Sequence, residues 1–197
     1  MDFSASVVIE NRRVRLRPLE TTDFEALKAV AFAPELWRYT LTRADDAVSL
    51  AAYLRQALEE RAQGLRYPFV ILDRETGELA GSTSYYNVHE ADQRLSIGYT
   101  WVGEKFQRTG LNRATKHLLL THAFGLLGCA RVELETDARN EKSRTAMARM
   151  GATEEGLLRS HRPTQGGIRR DTVVFSVIQP EWLGLRHTVF QEFESRG

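Results

Sequence analysis

The chain has 197 residues, 27 basic and 26 acidic, for a net charge of +1, a balance that argues against a dedicated nucleic-acid binder or a polybasic membrane protein. Its length fits a single domain over 1–197, with 180–197 as a short C-terminal tail, and a chain of this size buries on the order of 70% of its unfolded surface without a disulfide or metal staple. The lone cysteine, Cys129, cannot form an internal disulfide, no run approaches the about 18 apolar residues of a membrane span, and residues 1–5 carry no basic leader, so a soluble cytoplasmic protein is expected.

Residues 12–19 alternate basic and apolar until Pro18, the pattern of an edge strand whose arginines form a solvated face. Thr21, Thr22 and Asp23 offer a cap for a helix carrying Phe24, Leu27, Ala31 and Phe32. Asp45 and Asp46 start a second helix with apolar positions Val48, Leu50, Ala51, Leu54 and Leu58, and Gly64 lies beyond its end. Strands follow at 67–72 and 79–88, joined by a turn at 75–78, and a third at 94–102 completes an antiparallel meander.

The stretch at 104–113 follows that third strand and precedes a helical pattern over 111–127 that stops at Gly128. The first N–H groups of a helix lack internal partners, and the helix dipole makes them an anion site. Gly110 allows close backbone approach, and Lys105, Arg108 and Arg113 add positive charge. The loop reads as a cradle for a diphosphate, although neither G-x-x-x-x-G-K-[ST] nor G-x-G-x-x-G is present.

Residues 130–136 alternate cleanly after that helix, so they form a strand parallel to 94–102. Asn140 suits the cap of a helix at 141–150 with Ser143 at its third position, Ala146, Met147 and Met150 as its apolar face and Gly151 as its stop. A hairpin of strands near 153–161 and 169–178, turning through Pro163, Thr164, Gln165, Gly166 and Gly167, closes the core. Cys129 reads as a small core residue, and His117, His122, His161 and His187 show no metal-ligand spacing.

This order of elements resembles the GNAT superfamily of N-acetyltransferases, most of all its RimJ/RimL-like branch. The resemblance rests on residues 14–19, on 97–101, on Gln107, Arg108, Thr109 and Gly110, on 137–144 with Met150, Gly151 and Ala152, and on the hairpin pieces 155–159 and 169–171. It implies an α+β (mixed α/β) single domain. Its central sheet would have six to seven mostly antiparallel strands flanked by helices, with 94–102 and 130–136 parallel and splayed. It implies acetyl-CoA as cosubstrate, with no metal, lying between those two strands. The pantetheine arm would pair with backbone near Trp101 and Val102, and the diphosphate would rest on the amides of Gln107, Arg108, Thr109, Gly110, Leu111, Asn112 and Arg113. Asn112 departs from the small residue of the family pattern, so its side chain either crowds the loop or adds a contact.

The resemblance also implies roles. Asn140 and Ser143 match the Asn-x-x-Ser pattern that borders the thiol, which makes Ser143 the proton donor or ligand for the leaving thiolate. Backbone N–H groups near Trp101 or Val102 would bind the oxyanion. No general base stands out: Ser96 occupies the region where some relatives carry a glutamate, the other candidates are Glu135, Asp137, His89 and Glu90, and Tyr85 and Tyr86 border the acceptor groove. The implied function is acetyl transfer from acetyl-CoA to a primary amine by direct attack in a ternary complex. The acceptor is a protein N-terminus or a small-molecule amine, with no nucleic-acid or membrane partner and with a homodimer left open. The alternative is a non-catalytic CoA-binding or protein-interaction module on the same fold. An open groove around 32–45 and 161–168 would favour a peptide acceptor, and a closed acidic pocket a small cation.

Overall fold

The computed structural model describes residues 1–164 and 167–194. Its frame is one sheet in the order β1-β2-β3-β4-β5-β6-β8-β7. The strands are β1 (Ile9–Glu10), β2 (Val14–Pro18), β3 (Arg66–Asp73), β4 (Leu79–His89), β5 (Arg94–Val102), β6 (Arg131–Asp137), β7 (Thr153–Pro163) and β8 (Arg169–Ile178). There are eight strands rather than six or seven because Ile9 and Glu10 add a two-residue edge to β2, too short to leave a periodic signal. Every pairing is antiparallel except β5 with β6.

The helices are α1 (Phe24–Ala31), α2 (Ala47–Ala62), α3 (Leu111–Gly125), α4 (Glu141–Arg149) and α5 (Gln179–Thr188). Local chemistry sets their ends. At the start of α2, Asp46 Oδ1 accepts from the Ser49 amide at 2.7 Å while the Asp46 amide donates to Ser49 Oγ at 3.1 Å, so two otherwise orphaned donors are satisfied. The buried positions Leu50, Tyr53, Leu54 and Ala57 recur at helical spacing and form the face turned to the sheet.

Alternation along β4 separates the two faces of the sheet. Tyr53 of α2 donates to Ser82 Oγ at 3.2 Å, whereas Tyr85, of opposite parity, donates to the Leu119 carbonyl of α3 at 2.6 Å. Helices α1 and α2 therefore cover one face, and α3 covers the other. The basic face of β2 is neutralised locally: Arg13 pairs with Asp73 and Glu75, Arg15 with Glu10, and Arg17 with Asp23. The C-terminal segment is no loose appendage: Trp182 and Phe190 are buried against α3, with Trp182 5.7 Å from the Phe124 ring and Phe190 5.7 Å from His117. The β7–β8 turn read at 163–167 includes Gln165 and Gly166, which lie outside the described residues.

Candidate active site

The site begins where a ladder stops. Strands β5 and β6 pair only through Arg94 with Arg131, Leu95 with Val132 and Ser96 with Glu133, yet β5 continues to Val102 and β6 to Asp137. From Ile97 onward the side of β5 turned away from β4 has no strand partner among the described residues. The cause is local: Tyr99 takes φ +50°, and the β4–β5 register slips between Ser82 and Ser84. This is a bulge, which bends its strand and raises its twist, and it turns β5 away from β6. The result is a wedge-shaped gap floored by unpaired backbone, an edge able to accept one more extended chain.

At the far end of β5, Phe106 is buried and fixes the loop that leads to α3. Arg108 at φ +63° and Gly110 at φ +84° curl the backbone into a concave run of amides, the geometry of an anion nest. The amides of Arg108, Thr109, Gly110, Asn112 and Arg113 meet no acceptor among the described residues, and that of Leu111 reaches only Thr109 Oγ1 at 3.4 Å. A Cβ on Gly110 would have no atom within 4 Å, so the approach from outside is open. Asn112 is exposed and does not crowd the loop.

Across the gap, Asn140 Oδ1 accepts from the Ser143 amide at 3.1 Å and caps α4. The Ser143 hydroxyl has no partner among the described residues. Lys142 of the same turn bonds Gln107 Oε1, and Gln107 Nε2 donates to the Val102 carbonyl at 2.9 Å, so the mouth of the gap is bridged by these two side chains.

The family model described as "Acetyltransferase (GNAT) domain" matches residues 13–153. The chain belongs to the GNAT acetyltransferases. YdaF of Bacillus subtilis (strain 168), named as a candidate ribosomal N-acetyltransferase, is 34% identical over 108 residues, 55% of this chain and 58% of YdaF. A crystal structure from T. thermophilus, described as a candidate acetyltransferase, superposes with a TM-score of 0.87 at 32% identity, covering 97% of this chain and 99% of that one. Mycobacterium smegmatis RimJ, solved in complex with CoA-disulfide, shares the fold with a TM-score of 0.78 at 24% identity, covering 92% and 94% of the two chains. This GNAT chain transfers an acetyl group from acetyl-CoA to an amine acceptor, as the sequence led us to expect, and the names of YdaF and RimJ fit the RimJ/RimL-like branch.

The GNAT frame sorts the residues singled out in the sequence. Trp101 and Val102 border the gap, but the Val102 carbonyl is occupied by Gln107. Leu111 is fully buried, so only its backbone faces the loop. Two of the three loop cations are engaged: Lys105 pairs with Glu78 at 2.7 Å, and Arg113 with Glu192 at 2.6 Å and with the Val189 carbonyl at 2.6 Å. Arg108 makes no ion pair among the described residues.

Of the candidate bases, His89 and Glu90 lie at the β4–β5 turn, where β5 and β6 are still paired, and Glu90 is held by the Met1 ammonium group. Asp137 is chelated by Arg139 at 2.9 and 2.7 Å, which lowers its pKa. Tyr85 faces α3, so of the two tyrosines only Tyr86 lies on the sheet face covered by α1 and α2. Tyr86 lies opposite Ser96, and burial, then the nearby Glu135 charge, raise its pKa. Ser96 Oγ is sealed without a hydrogen-bond partner. Glu135, two residues past the last parallel pair, meets Arg162 at 3.6 Å.

Sequence reasoning missed Arg66, Arg162 and Arg170 on this face. Arg66 is 1% exposed. It donates to Ser84 Oγ at 2.8 Å and to Tyr53 OH at 2.7 Å, and its guanidinium lies 3.8 Å from the Tyr99 ring centroid. A charged residue opening an otherwise apolar strand was the only available signal.

Proposed function

We propose that acetyl-CoA lies in the β5–β6 gap with its diphosphate on the amides of 108–113, the Gln107 amide being held by the Glu104 carbonyl at 3.1 Å, and that the amine enters from the face covered by α1 and α2. The observation that carries this reading is the end of β5–β6 pairing after Ser96 and Glu133 while both strands run on. The curl at Arg108 and Gly110 supports it independently, because a run of unsatisfied amides at a helix start is what a diphosphate needs.

Acetyl-CoA supplies an acetyl group activated as a thioester. In this reading backbone N–H groups near Trp101 or Val102 orient it and stabilise the charge that develops on the carbonyl oxygen. The unpartnered Ser143 hydroxyl, positioned by the Asn140 cap, donates a proton at the leaving sulfur. Attack is direct, in a ternary complex, and the acceptor is a protein N-terminus or a small amine. The whole chain acts as one domain, tail included. A cytoplasmic setting is supported by a single cysteine that is buried.

Calorimetry with CoA tests the reading. Micromolar binding with one site per chain is expected, and no binding at high micromolar CoA would end it. Thiol release from acetyl-CoA with a panel of amines then separates an enzyme from a module that only binds CoA.

A further inference from the structure

The acceptor face carries one more cation than its own carboxylates can answer. Glu135 is matched by Arg162 at 3.6 Å, Asp137 by Arg139 at 2.7 Å, and Glu60 by Arg66 at 3.4 Å. Arg170 is left over. It is 6% exposed and makes no ion pair among the described residues. Its Nε donates to Thr172 Oγ1 at 3.1 Å, and one terminal nitrogen, Nη1, donates to the Tyr39 carbonyl at 3.4 Å. The other terminal nitrogen, Nη2, has no partner among the described residues. It is not one of the sealed orphan atoms, which are Ser96 Oγ, His117 Nδ1 and His161 Nδ1. A guanidinium taken this far from water with no carboxylate at ion-pair distance is costly, and a fork with free N–H groups suits a planar carboxylate.

Placement links this arginine to the chemistry. Arg170 pairs across the hairpin with Arg162, which reaches Glu135; the charges of Asp137 and Glu135 favour its guanidinium and that of Arg162 opposes it. Tyr86 faces Ser96, where the gap opens. The connection between α1 and α2 closes over the group through Tyr39. One face therefore offers a carboxylate, Glu135, next to the gap, and a spare guanidinium behind it. A phosphate fits less well, since its second charge would meet Glu135 and Asp137.

On the acetyltransferase reading above, we infer that the acceptor is an aminocarboxylate: its amine faces the gap beside Glu135 and its carboxylate is read by Arg170. On transfer, the amine nitrogen bonds the acetyl carbon and the carbon–sulfur bond breaks. The nitrogen gives up one proton and the sulfur gains one. A free amino acid and a peptide N-terminus with an acidic first residue share this chemistry.

The test compares matched pairs: glutamate with glutamine amide, and a peptide amide beginning with Asp with its Asn twin. Wild type is expected to show a KM at least about tenfold lower for the carboxylate member of one pair, and the pair that responds tells amino acid from peptide. Arg170→Gln should remove that preference and leave the KM for acetyl-CoA unchanged, while Arg170→Lys should keep part of it. Titration of the same compounds into the CoA-loaded protein reads the contact without turnover, so a failure of acetyl transfer is seen separately. Equal KM and equal binding for both members of each pair would overturn the inference. So would an Arg170→Gln variant, folded by its melting curve, that weakens charged and neutral acceptors alike, or a clear preference for phosphate-bearing amines.

Discussion

Lys116 Nζ donates to Thr100 Oγ1 at 2.9 Å, and Thr100 Oγ1 lies 2.8 Å from Thr83 Oγ1. The lysine enters from α3, is 6% exposed, and makes no ion pair among the described residues. It props β5 one residue beyond the Tyr99 bulge, on the sheet face opposite α1 and α2.

A buried amine without a counter-ion titrates low, and burial pulls Lys116 down to about 7 from its ordinary 10.5. Between those pH values the unfolded chain binds more protons than the folded one, so stability rises with pH across that window and is lowest below pH 7. The shift converts to about 5 kcal/mol at most. Lys116→Met is expected to raise the denaturation midpoint clearly at pH 6 and to change it little at pH 10. Urea melts at the two pH values check this, and a gain of equal size at both would contradict it.

The elements were legible because their signals are local. The loop before α3 announced itself by a glycine between a β-rich run and a helical run, and φ +84° at Gly110 explains why glycine was there. The gap was legible only through family resemblance. Nothing in the spacing of 94–102 marks Tyr99 as the residue that takes φ +50°, since tyrosine is an ordinary strand residue. The arginine cluster was illegible for another reason: Arg66, Arg162 and Arg170 come from β3, β7 and β8, and only the folded sheet brings them to one face. Lys105 and Arg113 misled in the opposite direction, because their carboxylate partners Glu78 and Glu192 are remote in sequence.

Gly110→Ala isolates the loop. The added methyl meets nothing within 4 Å, so its cost is conformational, about 1–2 kcal/mol for a left-handed residue. The amide nest should flatten to relieve that strain. CoA affinity by calorimetry is expected to fall about tenfold, with a modest drop in Tm. Unchanged affinity would move the diphosphate away from this turn.

Ser143→Ala and Asn140→Ala separate chemistry from capping. The Ser143 hydroxyl holds nothing in the fold, so its loss should leave Tm nearly unchanged while kcat falls about 100-fold, the scale of one proton donor. Asn140→Ala removes the cap and should cost about 1 kcal/mol of stability. Steady-state kinetics beside thermal melts check the pair. A Ser143→Ala variant with wild-type kcat would assign this serine to the helix alone.

Arg113 is in the first turn of α3 yet is held by Glu192 and by the Val189 carbonyl of the tail. Both side chains of the ion pair are substantially exposed, 45% and 39%, so the pair itself contributes little to stability. Releasing it has a different consequence. In Glu192→Gln the guanidinium loses its counter-charge beside a helix start that already favours anions. CoA should then bind about two- to threefold more tightly at low ionic strength. At about 0.5 M salt the gain should vanish, because the Debye length there is only a few ångström. Calorimetry at two salt concentrations measures this, with Arg113→Gln as the control that should weaken binding or leave it unchanged. Tighter binding that persists at high salt would show that the substitution acts by rearranging the tail rather than through the freed charge.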